Sequence, residues 1–188
     1  MRGSNEELRR ITRESLLTAL VELWETKPYE KITVTELAQR AGVSRMAFYR
    51  NYESIDEIVA EHVRALYLAY TDKLERDGST LMVDYAVSFF TYIAANERFM
   101  RKALAAGFDW ALLESIEDYV GSRAALRVMD VDMSRFEDAH LRQFAAGGYL
   151  NVLENWLEGG MAKTPQEMGE LTTSYMRMLL GPTPRADA

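Results

Sequence analysis

Hydrophobic residues recur at every third or fourth position along most of the chain. This spacing places them on one face of an α-helix and predicts a chain built from amphipathic helices. In the first such segment Leu16, Leu20 and Trp24 share a face, and Pro28 ends it. Alternating runs typical of β-strands are not evident. The pattern therefore predicts an all-α fold of about nine helices.

Prolines, glycines and capping residues divide the pattern into segments. After the first helix, the predicted helices lie near 33–41, 44–51, 54–76, 81–95, 99–106, 110–125, 134–157 and 165–180. The segment 54–76 is long, with one apolar stripe that includes Tyr67 and Tyr70.

Composition excludes several classes of function. The 188-residue chain has no cysteine, so disulfides, thiolate metal sites and cysteine nucleophiles are excluded. The longest stretch without a charge, Tyr85–Asn96, is shorter than the roughly 20 residues of a membrane-spanning helix. With no signal-peptide pattern at the N-terminus, we expect a cytoplasmic protein that has no membrane partner.

The net charge of −7 is unevenly distributed. Residues 1–52 hold nine Lys and Arg and seven Asp and Glu, a balance of +2, whereas the remainder carries −9. A positive balance at one end suggests a polyanion partner for that end.

A compact motif lies within residues 33–52. Thr33 and Glu36 have the spacing of a capping box, which would start a helix at Val34. Gly42 stands where a left-handed residue ends a helix, and Ser44 is a typical N-cap for the next one. Two short helices joined by such a turn predict a helix-turn-helix, although the same residues also suit a plain helical corner.

The second helix of this motif has two distinct faces. Phe48 and Tyr52 are expected to pack inward, whereas Arg45 and Tyr49 are expected to face out. An arginine at the start of a recognition helix suits bidentate contact with guanine, and Tyr49 and Arg50 suit phosphate contacts. The candidate DNA-binding residues are Thr33, Thr35, Ser44, Arg45, Met46, Ala47, Tyr49, Arg50 and Asn51.

The motif residues Thr33–Ala38, Ala41–Ser44 and Phe48–Tyr52 resemble the DNA-binding head of the TetR family of transcriptional regulators. The close resemblance covers about Leu8–Leu66. It implies a three-helix DNA-binding domain over residues 1–53 and a helical ligand-sensing and dimerisation domain over 54–188. It further implies a homodimer that is not an enzyme, expected to act as a repressor, with an operator and a small-molecule effector as partners.

The chain departs from the family at two positions. Many members carry lysines at the positions held here by Glu53 and Ile55, and each lost phosphate contact weakens DNA binding. This motivates an alternative, in which the chain binds DNA weakly or not at all and acts as a ligand-dependent partner of another protein.

The second half contains hints of a dimer interface. Gly147 and Gly148 lie within a helical pattern where glycine costs about 1 kcal/mol relative to alanine, so a closely approaching helix would explain them. Packing within the subunit is the alternative explanation. Thr164 and Glu167 predict a capping box, with Pro165 in the first turn. The candidate interface residues are Phe144, Gly147, Gly148, Leu150, Trp156, Tyr175, Met176 and Leu179.

Aromatic residues supply the candidates for a ligand pocket, although an aromatic stripe is more often ordinary core. The candidates are His62, Phe89, Tyr92, Phe99, Phe108, Trp110, Tyr119 and Phe144. His62 and His140 form no metal-ligand pair, and we expect each to be a core or interface side chain. No metal, cofactor or catalytic residue is predicted.

Overall fold

The computed structural model describes residues 2–121 and 130–182, with side chains over 5–118 and 130–182. This part of the chain holds nine α-helices and no strand, which confirms the predicted all-α fold. The helices are α1 (Arg2–Thr26), α2 (Val34–Arg40), α3 (Arg45–Tyr49), α4 (Ile55–Asp77), α5 (Met82–Ala95), α6 (Glu97–Ala105), α7 (Asp109–Gly121), α8 (Ala139–Glu158) and α9 (Pro165–Leu180). Two 3₁₀ segments, Tyr29–Lys31 and Met133–Glu137, precede α2 and α8. Over the described ranges, no helix combines the length and apolarity needed to cross a bilayer.

Residues Met1–His62 form one compact unit. Its core joins α1, α2, α3 and the start of α4 through buried side chains: Leu16, Leu20, Leu37, Phe48 and Val59. The periodic apolar face of α1 supplies the first two of these. Burial of each large apolar side chain contributes about 1.5–3 kcal/mol to folding.

Arg13 of α1 holds the end of the helix-turn-helix segment. Its guanidinium lies 4.9 Å from the centre of the Tyr52 ring, and its Nε donates to the Tyr52 hydroxyl at 3.1 Å. The same guanidinium forms an ion pair with Glu61 of α4. These contacts fix α1 against the segment that follows α3.

Residues Val63–Ala188 form the second unit. Its tightest helix pair is α5 against α9, and α7 and α6 pack against α8. At the α5–α9 contact, a Cβ on Gly169 would lie 2.4 Å from Cγ2 of Val87. Only a glycine allows the two backbones to approach so closely.

Asp130 connects α5 and α9 at one end of this unit. Its carboxylate accepts from the Met82 N–H at 2.8 Å and pairs with Arg177 at 2.6 Å. Burial alone would raise the pKa of Asp130, but Arg177 and the Met82 N–H outweigh it and hold the pKa below its ordinary value. The ionised carboxylate therefore stabilises the fold.

Helix boundaries follow the capping residues. α9 begins with Pro165 and ends at Leu180 as predicted, and the capping box of Thr164 and Glu167 is present. The helix predicted from Ser134 is wrong at its start, because Met133–Glu137 is a 3₁₀ segment and Asp138 caps α8. The predicted end of α7 near Ala125 lies outside the described residues.

Candidate nucleic-acid interface and ligand cavity

The turn between α2 and α3 is set by local hydrogen bonds. Gly42 adopts φ 69°, and the Val43 N–H donates to the Ala38 carbonyl at 2.9 Å. The Ser44 hydroxyl accepts from the Ala47 N–H at 3.0 Å and starts α3. A non-glycine residue is strained at this φ, so the turn depends on the glycine.

Only half of the predicted capping box forms at α2. The Thr33 hydroxyl accepts from the Glu36 N–H at 3.3 Å. The Glu36 carboxylate pairs with Lys27 instead of reaching back to Thr33. Lys27 therefore pairs with the Glu36 carboxylate that the sequence pattern predicted as part of the capping box.

The two faces of α3 are separated as predicted. Phe48 is fully buried and packs edge-on against Tyr49 and at 6.2 Å from Tyr52, which is also buried. Arg45, Met46, Tyr49 and Arg50 are exposed. The outer face therefore presents two cations, one thioether and one phenol.

The remaining candidates for DNA contact differ in solvent exposure. Thr33, Thr35 and Ser44 are exposed at the starts of the two helices, whereas Ala47 is half-buried. The Asn51 amide donates to the Ala47 carbonyl at 2.7 Å, so it closes the end of α3.

Acidic residues lie at the edge of this surface. Glu53 is exposed, and its N–H donates to the Glu57 carboxylate at 2.8 Å. Asp56 and Glu57 stand in the first turn of α4. Their negative charge suits the positive end of the helix dipole but repels phosphate.

The second unit encloses an apolar cavity of about 90 Å³. Its walls come from α4, α5, α7, α8, α9 and the 3₁₀ segment Met133–Glu137. The lining residues are Tyr67, Tyr70, Met82, Tyr85, Ala86, Phe89, Ile116, Met133, Phe136, Arg142, Ala145, Ala146, Tyr149 and Met176. An apolar cavity with few polar groups is typical of a small-molecule site.

The sequence-based pocket candidates mostly lie elsewhere. Phe89 lines the cavity, and Tyr92 lines a much smaller void beside it. The other candidates whose side chains are described do not line the cavity: His62, Phe99, Phe108, Trp110 and Phe144. The side chain of Tyr119 is outside the described part.

Three of these five candidates have clear positions elsewhere. Phe108 is buried core, whereas Trp110 is exposed beneath the Arg64 guanidinium, 5.2 Å from its ring centre. Phe144 is 72% exposed on the outer side of α8. The aromatic residues in the sequence indicated which segments are hydrophobic. They did not indicate which face of each helix lines the cavity.

Sequence reasoning missed Arg142 and the methionines among the lining residues. Tyr67 and Tyr70 lie on the predicted apolar stripe of α4, a signal that was present in the sequence. Arg142 and Met133 both line the cavity because the 3₁₀ segment packs on the start of α8. No local periodicity indicates that placement.

An exposed apolar groove runs along α8 and α9. Phe144, Gly148, Tyr175, Met178 and Leu179 line it, and Phe144 and Met178 are 72% and 75% exposed. A Cβ placed on Gly147 or Gly148 would meet no atom within 4 Å. Packing within the subunit therefore does not explain these glycines over the residues described.

Three interface candidates have little exposed side chain. Leu150, Trp156 and Met176 are buried within their own unit, and their place in an interface stays a prediction. The Trp156 indole N–H donates to the Lys163 carbonyl at 2.8 Å, and its ring packs edge-on against Phe90. Met176 lines the cavity as well as the floor of the groove.

The two histidines occupy different surroundings. His62 is partly buried, and this burial lowers its pKa. His140 is exposed at the start of α8, so it is not a core side chain, and its expected interface position stays a prediction. In the described ranges, no three His, Asp or Glu side chains are grouped as metal ligands.

Sequence comparison identifies two family profiles in the chain. Residues 16–62 match "Bacterial regulatory proteins, tetR family". Residues 82–178, about half of the chain, match "Transcriptional regulator C-terminal region", a profile of the same family. No curated protein matches the chain in sequence.

Several solved structures share the fold. A TetR transcriptional regulator from Streptococcus agalactiae 2603V is 20% identical, with TM-score 0.65 and coverage of 94% of this chain and 99% of that one. The dihydroxyacetone kinase operon activator DhaS is 15% identical, with TM-score 0.62 and coverage of 90% and 96%. Thermus thermophilus FadR, a TetR-family repressor in complex with lauroyl-CoA, is 18% identical, with TM-score 0.58 and coverage of 94% and 99%.

Proposed function

The chain belongs to the TetR family of bacterial transcriptional regulators, and on that premise we propose that it is a homodimeric, operator-binding repressor controlled by a small molecule. The family consists of DNA-binding transcription factors and not of enzymes. The proposed partners are double-stranded DNA and an effector, and the proposed place of action is the cytoplasm.

The observation that carries the DNA-binding proposal is the division of α3. Its inner face is anchored by Phe48, while Arg45, Met46 and Tyr49 are exposed side by side. A recognition helix held in this way can enter the major groove with its N-terminal residues at the base edges. Arg45 suits guanine, and Met46 suits the thymine methyl group.

Dimerisation is supported by the groove along α8 and α9. Exposed apolar side chains line it together with Gly148, where an added Cβ would meet no atom within 4 Å, and Gly147 precedes Gly148 on the same helix. Exposed apolar patches of this kind mark protein interfaces. A second copy that lays its own α8 and α9 on this groove would cover both and would supply the second head for a two-half-site operator.

Effector control is supported by the cavity and by α4. This helix gives Ile58 and Val59 to the core of the first unit and Tyr67 and Tyr70 to the cavity of the second. An effector that binds one conformation of the second unit more tightly shifts the population toward it. Effector binding and operator binding are then coupled, and each changes the affinity for the other by the same factor.

The second candidate function is a regulator that lacks autonomous DNA binding and acts through another protein. It is favoured by Glu53 and Ile55, which replace expected phosphate-binding lysines, and by the acidic start of α4. The structurally similar DhaS is named an operon activator. Whether this chain represses or activates transcription is therefore a separate experimental question.

Selection of bound sequences from a random DNA pool, at low salt, separates the two candidates. The repressor proposal expects one enriched, two-fold symmetric site. Arg45→Ala should then relax base preference at one position in each half-site, whereas Arg50→Ala should weaken all sequences alike. Absence of any enriched site, together with an unchanged phenotype for Arg45→Ala in cells, would favour the second candidate.

A further inference from the structure

The cavity carries one charged side chain among its described lining residues, Arg142. Apart from the four tyrosines, the rest of the lining is aliphatic, methionine or phenylalanine. A ligand enclosed here would meet apolar contacts on most sides and a cation at one place.

Two of the four tyrosine hydroxyls donate to main-chain carbonyls, and none of the four tyrosines supplies a charge. The Tyr70 hydroxyl donates to the Tyr85 carbonyl, and the Tyr85 hydroxyl donates to the Ser79 carbonyl at 3.1 Å. Burial raises the pKa of Tyr149, so this phenol is neutral at physiological pH. These rings offer hydrocarbon surface, and the charge that selects a ligand is left to Arg142.

Arg142 is oriented by the main chain rather than by an acid. Its Nη1 donates to the Phe136 carbonyl and, at 3.3 Å, to the Glu137 carbonyl. Over the described residues, its Nε and Nη2 have no acceptor and its guanidinium has no carboxylate partner. The nearby Asp138 carboxylate caps α8 through the N–H groups of His140 and Leu141.

This arrangement leaves one edge of the guanidinium open. Arginine binds carboxylates through two parallel N–H···O bonds along such an edge. A partly desolvated cation without a counter-ion is costly, and a bound anion removes that cost. The neutral lining beside it favours a ligand that carries a single anionic group.

Cavity size limits the body of the ligand. An engineered apolar cavity of about 150 Å³ accommodates benzene, so about 90 Å³ suits a ring or short chain only after small side-chain adjustments. Met82, Met133 and Met176 line the walls and can make such adjustments, because methionine is unbranched and flexible.

From these observations we infer that the effector is a small monocarboxylate with an aromatic or short aliphatic body, bound through its carboxylate to Arg142. The inference rests on the proposed function, in which the effector occupies this cavity. The lauroyl-CoA of the FadR structure carries several negative charges and is far larger than this cavity, so the inferred effector differs from it in class.

The test measures thermal shifts and calorimetric binding of matched probe pairs to the full chain. The carboxylates are benzoate, phenylacetate, 3-phenylpropanoate and 3-methylbutanoate, and each is paired with its neutral amide. At least one carboxylate should bind more tightly than its amide, by about 10- to 100-fold, because a charged hydrogen-bonded pair is lost with the amide.

Arg142→Gln should remove that preference, and Arg135→Gln should keep it. Arg135 is the matched control, since its Nη1 also donates to main-chain carbonyls, those of Leu179 and Leu180, but it does not line the cavity. Arg142→Lys keeps the charge without the bidentate edge and should bind with intermediate affinity.

Two results would overturn the inference. One is that no carboxylate in the panel binds better than its amide to the wild-type protein, a comparison that needs no variant. The other is that Arg142→Gln, folded by circular dichroism, retains the carboxylate preference. Operator binding by the ligand-free protein is measured separately. If the protein does not bind an operator, the proposed function fails. If it binds an operator but shows no carboxylate preference, only the inference about the effector fails.

Discussion

Gly169 of α9 lies directly against Val87 of α5, where an added Cβ would come within 2.4 Å of a methyl carbon and 2.6 Å of the main-chain nitrogen. Main-chain atoms cannot move aside as a flexible side chain can. The separation of α5 and α9 is therefore set by the absence of a side chain at one position.

We expect Gly169→Ala to lower the free energy of unfolding by about 1–3 kcal/mol through overpacking. Glu170→Ala is the control, because Glu170 is the next residue of α9 and its side chain is exposed. Urea unfolding at low protein concentration measures both. Equal effects of the two substitutions would contradict the close approach.

We expect Phe144→Glu to convert the dimer to a folded monomer. The side chain is 72% exposed in the α8–α9 groove, and a buried carboxylate without a partner disfavours association. Leu68→Glu, at an exposed leucine of α4, is the control and should leave the mass unchanged. Light scattering after size-exclusion chromatography reports the mass. A wild-type monomer at micromolar concentration would remove the basis of the dimer proposal.

We expect Glu53→Lys to strengthen operator binding and to steepen its salt dependence. The substitution removes a negative charge at the edge of the proposed DNA surface and adds one phosphate contact, which raises the magnitude of the log–log salt slope by about 1. Asp72→Lys makes the same charge change at an exposed position of α4 in the second unit. Fluorescence anisotropy from 50 to 300 mM salt compares them. If both variants gained equally, the effect would be one of net charge.

We expect Asp130→Asn to lower stability by about 1–2 kcal/mol at pH 7, since a charged hydrogen-bonded pair is lost. The pKa of Asp130 is lower in the folded protein, so its contribution is present above the unfolded value of about 3.9 and is lost as pH falls through the folded value. The gap between wild type and variant should therefore narrow below about pH 4. Chemical unfolding between pH 3 and 7 measures the gap, and a constant gap would argue against ionisation as its cause.

Local sequence signals predicted the elements whose ends are set by local chemistry. Thr164, Pro165 and Glu167 define the start of α9 within four residues, and the structure agrees. The start of α8 was wrong because 3₁₀ and α periodicities are hard to distinguish over the five residues of Met133–Glu137. Because Asp138 caps α8, the α-helix begins at Ala139 and the residues before the cap form the 3₁₀ segment.

The two halves of the candidate site differ in how far the sequence could predict them. The exposed face of α3 follows from the spacing of Phe48 and Tyr52, because one short helix decides it. The cavity depends on which sides of five helices meet. Among the aromatic candidates with described side chains, only Phe89 lines it, and Arg142 was not predicted. The fold of the 3₁₀ segment back onto the start of α8 brings Arg142 to the main chain of Phe136 and Glu137, and hydrophobic spacing does not indicate that arrangement.

Three methionines line the cavity at positions that differ from those that set the helix packing and from the proposed DNA surface. We expect exchange of Met82, Met133 or Met176 for shorter or bulkier apolar residues to change the room available to a molecule, because all three line the cavity. The close approach of α5 and α9 rests on other residues, Gly169 and Val87. The three methionines also lie outside α3, so the residues proposed to contact DNA keep their identity. The chain is thus a suitable scaffold for a family of biosensors, in which new chemical inputs are evolved at three positions while a single genetic output is retained.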